Sequence, residues 1–283
     1  MKTILVPTDF SENAQHALQY AAGLAQELAG KIILAHVIAR PITPLDGNLT
    51  MPVDWNLPED YTAELNQISE NLKKQYPGIN ITTICQHGYL FTDLNELVKV
   101  NQVDLVIMGT KDAGDFVTNL IGTNTFGFMQ EAHCPVLAIP MGVTYKGIKN
   151  IAYASSFENT EKNYLQQLFG VAATFQAQVS IVNIKSERQL DLVDDAQIIK
   201  EIQKQFPTNA FCVAQKKQNN IKAGIQEFIQ ETQADVLAVA MQERPFLEKL
   251  FHKSLTKQLL HQTSLPLLSL PAKPYRIPVT NPA

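Results

Sequence analysis

With 283 residues, 45% of them hydrophobic and 18% charged, the chain is long enough for two globular domains that each bury a core. A formal net charge of −4 weighs against nucleic acid or an anionic membrane as partner, since both require a clustered basic surface. Cys85, Cys134 and Cys212 form no CxxC, the N-terminus lacks the apolar core of a signal peptide, and no apolar run reaches the ~18 residues of a membrane helix. The expectation is a soluble, cytoplasmic protein with reduced thiols.

Thr3 to Pro7 is a continuous β-rich run of the kind covered on both faces of a parallel sheet. From Ser11 to Leu28, apolar residues at Ala14, Ala17, Leu18, Ala21, Leu24, Ala25 and Leu28 predict a helix with one buried stripe. Ser11 suits its N-cap, and Glu12 suits the positive end of its dipole. Strand is then predicted at Lys31–Ile38, helix at Tyr61–Gln75, strand at Ile79–Cys85, helix at Thr92–Val100 and strand at Asp104–Met108. A short helix from about Thr123 and a strand over Val136–Ile139 complete five strands with intervening helices, a parallel right-handed βαβ sheet.

The same order then recurs. Asn150 to Phe157 repeats the opening, and Pro266 to Pro271 repeats Pro135 to Pro140. The opening strands are offset by 147 residues, Ile4 against Ile151; the strands at Asp104 and Asp235, and the closing strands, are offset by 131. The change falls where the first copy carries the Pro-rich stretch Arg40–Tyr61, which the second largely lacks. Second-copy strands are expected near 151–153, 179–184, 210–214 and 236–239, with helices near 162–175, 194–205 and 226–232. The fold class is therefore two tandem Rossmann-like α/β domains, each a five-stranded parallel sheet with helices on both faces. Their expected bounds are 1–143 and 147–275, followed by an extended Pro-containing tail at 276–283.

In such sheets ligands sit at the carboxyl ends of the strands, where strand order reverses. In the first copy the strand ending Met108-Gly109 leads into Thr110-Lys111-Asp112-Ala113-Gly114 and then Gly122-Thr123-Asn124-Thr125. Glycine lets a backbone approach a phosphate, and a helix starting at Thr123 aims free N–H groups at it, with Thr123 and Thr125 as hydroxyl donors. Asp9, after Pro7-Thr8, is placed to accept hydrogen bonds from a ribose or base. The spacing equally allows glycines that only turn the chain and an Asp9 that only caps a helix.

The opening Ile-Leu-Val-Pro-Thr-Asp-Phe-Ser, the strand end Asp-Leu-Val-Ile-Met-Gly-Thr and the closing His-Cys-Pro-Val-Leu resemble the universal stress protein family, over the whole chain as a tandem pair. The resemblance implies a Rossmann-like fold and, in the ATP-binding branch, a Gly-x2-Gly-x9-Gly-Ser/Thr motif. Gly109 matches its first glycine and Gly122-Thr123 its end, while Asp112 stands in the middle position. By this resemblance Asp9 and Val37 hold adenosine, and Gly109, Gly122, Thr123 and Asn124 hold phosphates. It also implies pairing of the last strands of the two copies, as an intramolecular pseudo-dimer. A carboxylate at Asp112 about 5 Å from a phosphate costs roughly 3 kcal/mol at an effective dielectric near 20, which Lys111 or a bridging Mg²⁺ would offset.

The second copy has lost these residues: Ser156 stands for Asp9, Ala240 for Gly109, and Asn183-Ile184 for His36-Val37. It reads as a structural or partner-binding domain. The six histidines show no metal-ligand spacing, and no GxSxG or GxxxxGK[ST] occurs. The leading expectation is an adenine nucleotide (ATP, ADP or AMP, with or without Mg²⁺) in the first domain of a stress-response regulator or sensor that forms a homodimer or acts alone. The alternatives are an interaction protein of the same fold that binds no nucleotide, and a slow ATPase, for which no catalytic base is evident.

Overall fold

The computed structural model describes residues 2–39, 57–110, 123–155, 157, 161–185, 195–207, 209–241 and 265–275. In the N-terminal half these form β1 (Thr3–Pro7), α1 (Glu12–Glu27), β2 (Lys31–Ala39), α2 (Leu57–Gln75), β3 (Asn80–Gly88), α3 (Leu90–Val100), β4 (Leu105–Gly109), α4 (Thr123–Glu131) and β5 (Val136–Ile139). The C-terminal half follows with β6 (Asn150–Ala154), α5 (Glu161–Phe175), β7 (Gln178–Lys185), α6 (Asp195–Gln205), β8 (Phe211–Lys217), α7 (Ile221–Thr232), β9 (Val236–Met241) and β10 (Leu267–Pro271). Much of the Arg40–Tyr61 stretch, the loop at 111–122, Ser156 and the tail at 276–283 lie outside the described residues.

The ten strands make one sheet in the order β3-β2-β1-β4-β5-β10-β9-β6-β7-β8. Within each half the pairings are parallel and follow one order, so each half is a Rossmann-like five-stranded sheet. The halves meet where β5 and β10 run antiparallel, Leu268 opposite Leu137. Both faces are covered, which is why β1, β4, β5 and β10 are apolar along most of their length. One core lies under α1, α2, α5 and α6, the other under α3, α4 and α7, and each runs through both halves.

Duplication is visible in the backbone as well as in the letters. The six described non-glycine residues with positive φ fall into three pairs at the two offsets: Phe10 with Phe157, Ala29 with Gln176, and Gln102 with Gln233. At the amino ends of the strands, the Asp104 carboxylate accepts from the Thr3 amide at 2.9 Å, and that of Asp235 accepts from the Asn150 amide at 2.9 Å. Left-handed backbone at bulky residues is costly, so its recurrence marks turns that both halves need.

The segment between the halves lies along α1. His16 Nε2 donates to the Val143 carbonyl at 2.9 Å, and the Tyr145 hydroxyl donates to Glu27 at 2.9 Å. Gly23 leaves room for the Tyr145 ring, which meets Tyr20 edge-on with centroids 5.2 Å apart. Burial first, and then the negative charges of Asp235 and Glu27, push the Tyr20 hydroxyl well above the ordinary tyrosine range; burial and the Glu27 partner do the same for Tyr145. A tyrosine that ionises later folded than unfolded adds stability that is complete below about pH 10 and is lost as pH rises further. The expected result is a fall in unfolding free energy above pH 10, shallower in Tyr145→Phe, measured by denaturant titration. A flat profile to pH 11.5 would contradict the packing of both rings.

Candidate functional site

Strand order reverses between β1 and β4: the chain leaves β1 towards β2 and β3, then returns to build β4 and β5 on the other side. A cavity of about 570 Å³ opens at the carboxyl ends of the strands there, within the size range of small-molecule sites. Pro7, Thr8 and Asp9 line it from the end of β1, Val37 from β2, Met108 and Gly109 from β4, and Asn124 and Thr125 from the first turn of α4. Eight positions marked in the sequence are thus brought to one place. Thr123 opens α4 at the same end. Lys111, Asp112 and Gly122 lie outside the described residues.

Asp9 is exposed, and the turn after β1 holds it. One oxygen of its carboxylate accepts from the Ser11 amide at 3.1 Å and from the Ser11 hydroxyl at 2.5 Å. Ser11 itself caps α1, accepting from the Ala14 amide at 3.3 Å. Asp9 therefore orients the cap rather than forming it, and no described group donates to its other oxygen. The Thr8 amide donates to the Ala35 carbonyl at 2.8 Å, while the Thr8 hydroxyl oxygen accepts from the Phe10 amide at 3.0 Å, which fixes the turn.

Gly109 has a structural reason that phosphate approach does not cover. A Cβ at this position would stand within 3.0 Å of the carbonyl carbon and oxygen of Asn13, with the Ala14 nitrogen at 3.2 Å. The first turn of α1 is seated directly on the end of β4. Thr125 also differs from expectation. Its hydroxyl donates to the Gly109 carbonyl at 2.9 Å, so it ties α4 to β4 instead of presenting a free donor to a phosphate.

Sequence reasoning missed Asn13 and Leu90, which also line the cavity, as does His36 beside Val37. Leu90 starts α3, immediately after the carboxyl end of β3, and only that position could have flagged it. The His36 ring lies against Phe10 and Tyr61, with centroids 4.7 and 4.6 Å away, and its Nδ1 donates to the Thr8 carbonyl at 2.8 Å. Among the described residues Asp9 is the one carboxylate lining the cavity, and no group of three or more His, Cys, Asp and Glu is placed to hold a metal ion.

A second groove, of about 740 Å³, runs beside α3 and the carboxyl end of α4 to Ala272. Carbonyl groups at a helix carboxyl end repel anions, so it is the poorer place for a phosphate. In the second half Ala240, 4% exposed, replaces Gly109 one residue before the end of β9, and Ser156, which matches Asp9 in the sequence, lies outside the described residues.

Among the described residues no helix is long and apolar enough to cross a membrane. Residues 1–140 match the universal stress protein family. Two universal stress proteins of Methanocaldococcus jannaschii are similar to about half of the chain. One is 28% identical over 143 residues, covering 49% of this chain and 81% of that protein. The other is 29% identical over 152 residues, covering 49% and 94%. A solved universal stress protein from Archaeoglobus fulgidus shares the fold across both halves, covering 95% of this chain and 98% of its own, with a TM-score of 0.70 at 14% identity. The chain is a tandem member of the universal stress protein family.

Proposed function

We propose that the cavity between β1 and β4 binds an adenine nucleotide, and that the chain works as a nucleotide-responsive regulator or sensor, with the C-terminal half as a non-binding partner. The observation that carries this reading is the gathering of Asp9, Val37, Gly109 and the start of α4 around one cavity at the point of strand reversal. Asp9 would accept from ribose hydroxyls with its unengaged oxygen. The first turn of α4 would present N–H groups to phosphate, with Asn124 beside it. The antiparallel β5–β10 ladder supports reading the halves, divided near 143–147, as an intramolecular pseudo-dimer.

The test is calorimetry with AMP, ADP and ATP, each with and without Mg²⁺. Binding is expected at one site per chain, with AMP and ADP at least as tight as ATP because the Asp112 carboxylate opposes added phosphate charge. Asp9→Asn keeps the side-chain shape but turns an acceptor into a donor or a weaker acceptor. It should weaken binding by tenfold or more, the worth of about 1.5–3 kcal/mol for a hydrogen bond to a charged group. Absence of binding by all three nucleotides at millimolar concentration would leave an interaction protein of the same fold as the reading.

A further inference from the structure

The hydrogen bonds around the first strand end recur in the second half, with one chemical difference. In the N-terminal half the His36 Nδ1 donates to the Thr8 carbonyl at 2.8 Å. At the matching position of the C-terminal half the Asn183 Nδ2 donates to the Ser155 carbonyl at 2.8 Å. The neighbouring bonds match too: the Phe10 amide donates to the Thr8 hydroxyl oxygen and the Phe157 amide to that of Ser155, each at 3.0 Å. A single N–H donor is all that this scaffold needs, and an asparagine supplies it. The structural role of His36 is thus met by Nδ1 alone and leaves the second ring nitrogen to be explained.

That nitrogen, Nε2, has no hydrogen-bond partner among the described residues, and His36 lines the cavity. With Nδ1–H committed to a carbonyl, Nε2 is the atom that gains or loses a proton. Imidazole changes charge between about pH 5 and 8. The described lining contains no lysine or arginine, and Asp9 is its one carboxylate. The titratable groups set against His36 are Asp9 from the turn after β1, Tyr61 from α2 and Cys85, in register with it on β3. Burial raises the Cys85 thiol above the ordinary range, which keeps it neutral. Phe10 and Tyr61 stack on each other with centroids 5.4 Å apart, and the imidazole lies tilted against both rings, within reach of a cation–π contact.

We infer that His36 is a proton-linked affinity switch of this cavity: protonation at Nε2 adds a positive charge to its described lining, so that phosphate-bearing ligands bind more tightly as pH falls from 8 to 6. This rests on the adenine-nucleotide reading and adds its regulation. A unit charge about 10 Å from a phosphate at an effective dielectric near 20 corresponds to on the order of tenfold in affinity.

The experiment is calorimetry of the full chain and of His36→Asn with AMP and with adenosine, from pH 8 to pH 6. His36→Asn copies the donor that the second half uses, so its fold is expected to survive; His36→Gln is the second uncharged variant. The wild-type chain should gain about tenfold in AMP affinity relative to His36→Asn as pH falls. The second ionisation of phosphate lies in the same range and cancels in that comparison. The wild-type chain should also take up more protons on binding AMP near pH 6.5–7 than His36→Asn does, read from buffers of different ionisation enthalpy. Adenosine should show neither effect. Equal pH profiles and equal proton uptake for wild type and variant would overturn the switch and leave the nucleotide reading standing. No AMP binding at any pH would overturn both.

Discussion

Gly109→Ala is expected to destabilise the chain by about 1–3 kcal/mol, and Gly109→Val by more, with loss of nucleotide affinity in both. The added methyl meets the Asn13 carbonyl and the Ala14 nitrogen, which are backbone atoms in the first turn of α1. A side-chain tip could swing aside; a helix turn packed on β4 must move as a unit. That turn carries the Ser11 cap and, through it, the position of Asp9, so one methyl group disturbs stability and ligand geometry together. Denaturant titration measures the first and calorimetry the second. Ala240→Gly in the second half is the matched control. There the methyl already fits, and its removal should cost no more than about 1 kcal/mol, with nucleotide binding unchanged. Wild-type stability in Gly109→Ala would show that α1 does not rest on β4 in this way.

Leu268→Asp should have the largest effect on the fold, at least 4–5 kcal/mol, enough to remove much of the stability of an ordinary domain. Leu268 is 2% exposed and stands opposite Leu137, 1% exposed, in the ladder that joins β10 to β5. A carboxylate there loses its hydration and finds no cation. Leu268→Ala leaves a cavity instead and should cost about 2–5 kcal/mol. Because the core beneath this ladder runs through both halves, hydrogen exchange in Leu268→Ala should quicken in β1 as well as in β6. Faster exchange confined to the C-terminal half would mean that the halves fold independently of their join.

Strands buried on both faces were the most legible parts of the chain, because a parallel strand between two helical layers is a short unbroken apolar run. Thr3–Pro7 and Val136–Ile139 match β1 and β5 residue for residue, and Lys31–Ile38 falls one residue short of β2. Edge strands were less so: Gln86 and His87 hid the last turn of the ladder in β3, which continues to Gly88. Helix starts were hidden by their own breakers. Pro58 lies at the beginning of α2, where proline is tolerated, and masked a start at Leu57. Asn220 caps α7 by accepting from the Ala223 amide, so the helix begins at Ile221, five residues before the expected start, because Gly224 blurred the apolar stripe. In the site, Asp9 and Gly109 were legible from motif and position. The tie from Thr125 to Gly109, the seat of α1 on β4, and the approach of Leu90 from α3 depend on which elements meet, and only the strand order supplies that.

The β5–β10 join also has a consequence for inheritance. Where two identical subunits pair about a two-fold axis, one gene encodes both faces, and any substitution appears twice. Here the two halves are written separately, and they have diverged: Gly109 ends β4 while its counterpart Ala240 stands one residue before the end of β9, and histidine stands where its counterpart is asparagine. Covalent linkage also keeps the halves together at any dilution, since their encounter is intramolecular. One half is therefore free to change residues that the other keeps, an asymmetry that a pair of identical chains could not inherit.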